Sequence, residues 1–250
     1  MQDFVLIGSG NVAHHLGVAL KNAGLRPLQV CGRTHAQSLG ALLKCPFTTH
    51  ARLINPNAAL YIIAISDDSL PQFIQKCPQL NGLVLHTSGA TDLSALQKFE
   101  NHGVLYPLQT LKKGVETKFE DVPILIEANN PKNEDELLCL AQKLSKNAQK
   151  ASSDQRLQLH LAAVFACNFT NHLWAIAYKL LQKQGMNLEL LRPLMQQTLQ
   201  NASSHDPAQV QTGPAIRNDQ KIMEKHLKLL ENETNYQEIY RLISKSIATN

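Results

Sequence analysis

The feature that most constrains this chain is a glycine signature close to its amino terminus. Gly8-Ser-Gly10-Asn-Val-Ala13 follows the apolar run Phe4-Val-Leu-Ile7 and opens a segment with Val12, Leu16 and Leu20 at helical spacing. Each position of this G-x-G-x-x-G/A pattern has a mechanical role. Gly8 permits a tight turn. Gly10 lets the backbone approach a pyrophosphate. Ala13, small like glycine, lets the helix pack near the strand. The helix N-terminus then offers unpaired N–H groups and a positive partial charge to phosphate. Gly8, Ser9, Gly10, Asn11, Val12 and Ala13 are therefore the expected cradle of a dinucleotide.

The following residues point to which dinucleotide. Enzymes that use NAD place an acid at the end of the second strand to hold the ribose 2′-hydroxyl. Here that strand, Leu28-Gln-Val-Cys31, runs into Gly32-Arg33-Thr34. There is no acid, and Arg33 can pair with a 2′-phosphate to which Thr34 donates. NADP is expected rather than NAD, against the alternative that Arg33 is a solvated loop charge. The net charge of +4 is distributed accordingly. Residues 4 to 66 carry five bases and no acid, and the remaining 19 bases face 20 acids. The excess positive charge lies in the part of the sheet that would face a polyanionic cofactor.

Further apolar runs, at 59–65, 83–85, 103–106 and 123–126, are continuous in the manner of strands covered on both faces. Helical stretches lie between several of them, for example Ala36 to Leu43, Ser69 to Gln75 and Leu93 to Glu100. This predicts an α/β fold, a doubly wound parallel sheet. Near residue 150 the pattern changes. Ser152-Ser-Asp154 reads as an N-cap, and Asp154 to Gln184 contains no Gly or Pro. That is one helix of about 31 residues, roughly 46 Å long, followed by further helices at 188–202, 218–233 and 236–247. Two domains are expected: a Rossmann domain at 1–152 and an all-α domain at 153–250.

In open α/β sheets ligands sit beyond the carboxyl ends of the strands. Ser66-Asp-Asp68 ends one strand there. Ser66 and Asp67 are expected to flank the nicotinamide ribose, although Asp67 and Asp68 can equally cap the next helix. His86-Thr-Ser88-Gly and Tyr106-Pro-Leu-Gln109-Thr end the next two strands. His86, Ser88 and Gln109 become candidates to contact the reacting group. The strip Leu161 to Cys167 is apolar all round and predicts a buried helix. It carries His160, Val164, Asn168 and His172 four apart, a stripe that either bonds across a helix interface or faces the cleft. Asn168 and His160 join the site candidates, whereas Trp174 and Tyr178 read as core. Arg217 either holds an anionic substrate group or pairs with a nearby acid.

Other classes are disfavoured. With 44% hydrophobic and 18% charged residues the composition is that of a globular protein. No apolar stretch approaches the roughly 20 residues of a membrane span, and no signal-peptide pattern is present. Five cysteines without a C-x-x-C read as buried hydrophobes in a reducing compartment, and no metal site is expected. Thirteen scattered aromatics without a Lys/Arg run argue against nucleic acid. A cytoplasmic location is expected.

The opening Phe4 to Ala13 resembles that of pyrroline-5-carboxylate reductases and deazaflavin-dependent NADP oxidoreductases. Further motifs are His86-Thr-Ser-Gly89, Tyr106-Pro-Leu-Gln-Thr110, Ala163-Val-Phe-Ala-Cys-Asn-Phe169 and Gly213-Pro-Ala-Ile-Arg-Asn-Asp219. With these, nearly the whole chain resembles the Rossmann-like NADP oxidoreductase family with a C-terminal helical domain of unknown function. Ketopantoate reductases and 6-phosphogluconate and β-hydroxyacid dehydrogenases belong to the same superfamily. The resemblance implies NADP binding, a cleft between the domains, a helical domain like that of 6-phosphogluconate dehydrogenase, and a homodimer through that domain. One departure stands out. β-Hydroxyacid dehydrogenases carry a catalytic lysine four residues before an asparagine on the long helix, and with Asn168 as that asparagine the lysine position holds Val164. An acid would then come from elsewhere, with His86 or His160 as candidates. The expected activity is reduction by NADPH of a C=O or C=N bond in a small anionic metabolite, a 2-oxo acid of ketopantoate type or a cyclic imine. The alternative is a sensor that binds NADP without turnover, which the missing lysine favours and the polar stripe opposes.

Overall fold

Strands that are apolar along their whole length are stable only when both faces are covered. The computed structural model, which describes residues 2–249, meets that requirement with one eight-stranded sheet. Strands β1 (Asp3–Ile7), β2 (Arg26–Cys31), β3 (Phe47–Thr48), β4 (Leu60–Ile63), β5 (Leu83–His86), β6 (His102–Pro107), β7 (Ile124–Ala128) and β8 (Ala148–Lys150) lie in the order β3-β2-β1-β4-β5-β6-β7-β8. Successive residues of β1 feed opposite sides. Phe4 and Leu6 join the core beneath α1 (Asn11–Asn22), α2 (Ala36–Leu43) and α4 (Pro131–Leu144). Val5 and Ile7 join the core under α3 (Leu70–Lys76) and the turn at Leu93–Leu96. This two-sided cover makes the fold Rossmann-like, with the reversal of strand order falling between the parallel strands β1 and β4.

Two details differ from the sequence expectation. The sheet is not wholly parallel: β7 runs antiparallel to β6, and β8 is parallel to β7. Residues 93–100 do not form a helix, because Asp92 caps only a single 3₁₀ turn at Leu93–Leu96.

The chain divides into two compact units, Met1–Cys167 and Asn168–Asn250. The first therefore includes α5 (Ser153–Ala163), which starts with the expected cap: the Ser152 side chain and Gln155 satisfy each other's backbone N–H groups. The helical run continues from α5 through a π turn at Val164–Phe169 into α6 (Thr170–Lys183). The second unit adds α7 (Arg192–Ser204), α8 (Gln220–Leu229) and α9 (Thr234–Thr249). Within it Lys183 pairs with Glu233, and His226 Nδ1 lies 2.9 Å from the Tyr240 hydroxyl.

The burial expected for the long helix is not observed. Leu161, Phe165 and Phe169 are 51%, 63% and 51% exposed, and Trp174 and Tyr178 are exposed rather than core. Apolar character on all sides of a helix states that the surface needs cover, not that the same chain supplies it. The cysteines also split. Cys31 and Cys77 are buried, and burial pushes their thiols up to about 11, but Cys139 and Cys167 are exposed. Among the described residues no helix is long and apolar enough to cross a membrane.

Candidate functional site

Parallel strands β1, β2, β4, β5 and β6 end on one edge of the sheet, and the loops there enclose a cleft of about 740 Å³. Its first wall is the glycine signature. Gly8 has φ +121°, and a Cβ on it would lie 2.0 Å from the Ala64 carbonyl oxygen, so only glycine fits. The Gly8 N–H donates to the Cys31 carbonyl at 2.7 Å, and the Ala64 N–H donates to the Ile7 carbonyl at 2.6 Å, tying the turn to β2 and β4. Gly10 is different: a Cβ there meets nothing within 4 Å. Its bareness keeps the mouth of α1 open. The first intrahelical bond of α1 runs from His14 to Gly10, and no side chain caps the helix. The N–H groups of its first turn therefore face the cleft unspent, as an anion would require. Ala13, on the inner face of α1, is fully buried and acts through packing, not contact.

The second wall is the end of β2. Arg33 and Thr34 are exposed and line the cleft, and Arg33 forms no ion pair among the described residues. A guanidinium with no acid of its own suits a phosphate. Ser9 bridges the two walls, accepting a hydrogen bond from the His35 N–H at 3.4 Å. Lys113, which the sequence reading passed over, braces the signature from behind. Its Nζ donates to the Ser9 carbonyl at 2.7 Å, and its N–H donates to Asn11 Oδ1 at 3.3 Å. These residues fit a dinucleotide pyrophosphate on α1 with a 2′-phosphate at Arg33.

The third wall follows β4, β5 and β6. Ser66 and Asp67 line the cleft, and Ser66 Oγ donates to Ser69 Oγ at 2.8 Å. The capping alternative for Asp67 is not observed: neither the 3₁₀ turn Asp67–Ser69 nor α3 has a side-chain cap. Ser88 also lines the cleft, where its Oγ accepts from the N–H groups of Ala90 and Thr91 at 3.1 and 2.9 Å. Beside it Tyr106 and His160 meet, the phenol oxygen 3.0 Å from His160 Nδ1. Gly89 makes this possible, since a Cβ there would lie 2.7 Å from Tyr106 Cζ and 2.8 Å from His160 Nδ1.

Two sequence candidates of the first unit, His86 and Gln109, do not line the cleft. His86 is 1% exposed and does not line the cleft. Its Nδ1 accepts from the Ser88 N–H at 3.2 Å, and Nε2 has no hydrogen-bond partner. Burial first, and the Arg156 charge second, lower its pKa to about 4. A neutral imidazole under the floor shapes the 87–92 turn instead of contacting a ligand. Gln109 is also outside the cleft, because the chain turns back after Pro107 and the Gln109 side chain accepts from the Thr110 N–H at 2.8 Å. Asn168 lies in the π turn at the head of the second unit and is exposed. Arg217 takes the structural alternative: it pairs with Asp219 at 2.9 Å.

Arg156 was also missed, although it stands four residues before His160. It is 1% exposed, donates to Glu127 Oε2 at 2.7 Å and to the Thr91 carbonyl at 2.6 Å, and so clamps α5 to the sheet. A charged residue one helical turn from a histidine is a weak signal of this. For Lys113 no local signal exists.

Comparison with known proteins agrees with this fold. Residues 122–247 match the family model described as "Domain of unknown function (DUF2520)". Over all of its length the chain is 36% identical to a Bacteroides fragilis protein whose crystal structure is described as a "putative NADP oxidoreductase", with a TM-score of 0.93 and 98% of that chain covered. The chain belongs to this DUF2520 family. Its fold is also that of an imine reductase from Myxococcus stipitatus solved with NADP⁺, with a TM-score of 0.65, 13% identity and coverage of 99% and 92% of the two chains. A pyrroline-5-carboxylate reductase from Streptococcus pyogenes gives a TM-score of 0.65 at 12% identity, covering 99% and 98%. No curated protein sequence matches.

Proposed function

We propose that this chain is an NADP(H)-dependent oxidoreductase that reduces the C=N or C=O bond of a small metabolite. The observation that carries the reading is the single cleft into which the glycine turn, Arg33, Asp67, Ser88, Tyr106 and His160 all open. The family relative at 36% identity supports the cofactor and the reaction class. Gly8, Gly10 and the first turn of α1 hold the pyrophosphate, Arg33 and Thr34 the 2′-phosphate, and Ser66 and Asp67 the nicotinamide ribose. The nicotinamide, when bound, supplies a hydride. Ser88, Tyr106 and His160 orient the acceptor and carry its proton.

The imine reductase and the pyrroline-5-carboxylate reductase that share this fold favour a cyclic imine over a 2-oxo acid. Consumption of NADPH across a panel of cyclic imines and 2-oxo acids tests this. Turnover of imines ahead of oxo acids is expected, and tight NADPH binding without any turnover would favour the sensor. Arg33→Ala should weaken NADPH by about tenfold to a hundredfold, as loss of a charged hydrogen bond does, and leave NADH unchanged. Equal losses for both would remove Arg33 from the 2′-phosphate site.

The proposal extends to a homodimer through the helical region. Leu161, Leu194, Leu199 and Leu242 are each at least half exposed, and only Ala215 and Leu230 are buried hydrophobics of the second unit among the described residues. Apolar surface on this scale marks an interface, and a second copy is the commonest partner for one. Light scattering should give twice the chain mass; the monomer mass would remove this part of the reading.

A further inference from the structure

We propose that Tyr106 is the group that protonates the reduced substrate, and that His160 is the positioning residue that restores its proton. This rests on the reading of the cleft as a reductase site. Tyr106 lies at the carboxyl end of β6, on the side of the sheet beyond β4 and β5 where the second half of a dinucleotide rests. Its hydroxyl is in the cleft wall and 3.0 Å from His160 Nδ1, with the rings edge to face.

Three features hold the pair in place. Gly89 vacates the space both rings need. Arg156, one turn before His160 on α5, fixes that helix through Glu127, Thr91 and the Ser153 Oγ. Pro107 ends β6 directly after the tyrosine. Such over-determination is what proton transfer in a fixed geometry requires. The charged and titratable groups around the phenol are Asp67 from the loop after β4, Arg156 from α5 and His160 itself. Burial, the leading influence, raises the phenol's pKa, which keeps its proton in place at neutral pH.

NADPH, when bound, would supply a hydride to the carbon of a neutral C=N group, the π pair moving onto nitrogen. The Tyr106 O–H bond breaks, its proton goes to that nitrogen, and its electron pair stays on the phenolic oxygen. In the tautomer with hydrogen on Nδ1, His160 donates to this oxygen and stabilises the phenolate. His160 then passes that proton across while its other nitrogen takes one from solvent. The same transfers serve a C=O group, with the proton ending on oxygen.

Tyr106→Phe removes one oxygen and leaves the packing, so it isolates the chemistry. With the imine that the wild type reduces fastest, kcat should fall by about a hundredfold or more, the usual worth of a general acid. NADPH affinity and the melting temperature should stay at wild-type values. The alkaline fall in kcat of the wild type should vanish from the residual rate of Tyr106→Phe. A second measurement needs neither cofactor nor substrate. The tyrosinate absorbance assigned to Tyr106, as wild type minus Tyr106→Phe, should titrate at higher pH once His160→Leu removes the donor. An active wild type with Tyr106→Phe within threefold of it, or a Tyr106 titration indifferent to His160→Leu, overturns the proposal alone. A wild type that binds NADPH and reduces nothing in the panel removes the underlying reading, and this proposal with it.

Discussion

The buried His86 makes the stability of the sheet unit depend on pH, and the size of the effect follows from its surroundings. At the end of β5 its Nδ1 accepts the Ser88 N–H, so its hydrogen is on Nε2. Burial and the nearby Arg156 lower the pKa from 6.5 to about 4. In the unfolded chain the imidazole binds its proton near the ordinary value. Between about 6.5 and 4 the unfolded state therefore holds more protons, and stability rises with pH. The stabilisation is complete above the unfolded value and is lost as the pH falls toward the folded one. A shift of about 2.5 units at about 1.4 kcal/mol each gives on the order of 3 kcal/mol. In His86→Asn the amide oxygen can take the Ser88 N–H without an ionisable ring. Amide exchange of β4 and β5, read as opening free energy, should show wild type losing about 3 kcal/mol relative to His86→Asn between about pH 7 and 4. The other histidines are common to both proteins and cancel in the difference. The His86 ring signals should also show no titration above about pH 5. A difference between the two proteins that stays constant over this range would refute the argument.

Two further substitutions separate scaffold from site. Gly8→Ala puts a methyl 2.0 Å from the Ala64 carbonyl at φ +121°, so about 3 kcal/mol or more should be lost through strain and displacement of β4. Gly10→Ala, with open space before it, should keep the wild-type melt and lose NADPH affinity instead; calorimetry on both variants checks the contrast. Arg156→Met breaks a buried pair with Glu127, and a cost of about 3 kcal/mol is expected because one charge is left behind. Adding Glu127→Gln should recover most of that loss in thermal melts, and a double variant no better than the single one would contradict the pairing.

What was legible in the sequence was local. The strand, glycine turn and helix of the signature sit within a few residues of each other, so their chemistry could be read position by position, as could Arg33 in place of an acid. The Tyr106–His160 pair spans 54 residues and the Lys113–Asn11 contact 102, and neither leaves a periodic trace. Polarity at a strand end pointed to the correct loops and to Ser66, Asp67 and Ser88, but it also named His86 and Gln109, which do not line the cleft. Within Tyr106-Pro-Leu-Gln-Thr110 the residue at the cleft is the half-buried tyrosine, and within His86-Thr-Ser-Gly89 it is Thr87, Ser88 and Gly89 that line it and not the histidine. In each segment the polar residue that did not reach the cleft is bonded to backbone of its own loop. Strand-end loops must satisfy their own N–H groups before they can present anything to a ligand. A polar side chain near a strand end therefore has two claimants, the turn and the site. Hydrophobicity in the long helix has the same ambiguity at larger scale. Leu161 to Cys167 reports a surface that must be covered, and whether by its own chain or by a second copy is decided by contacts that no window of sequence contains.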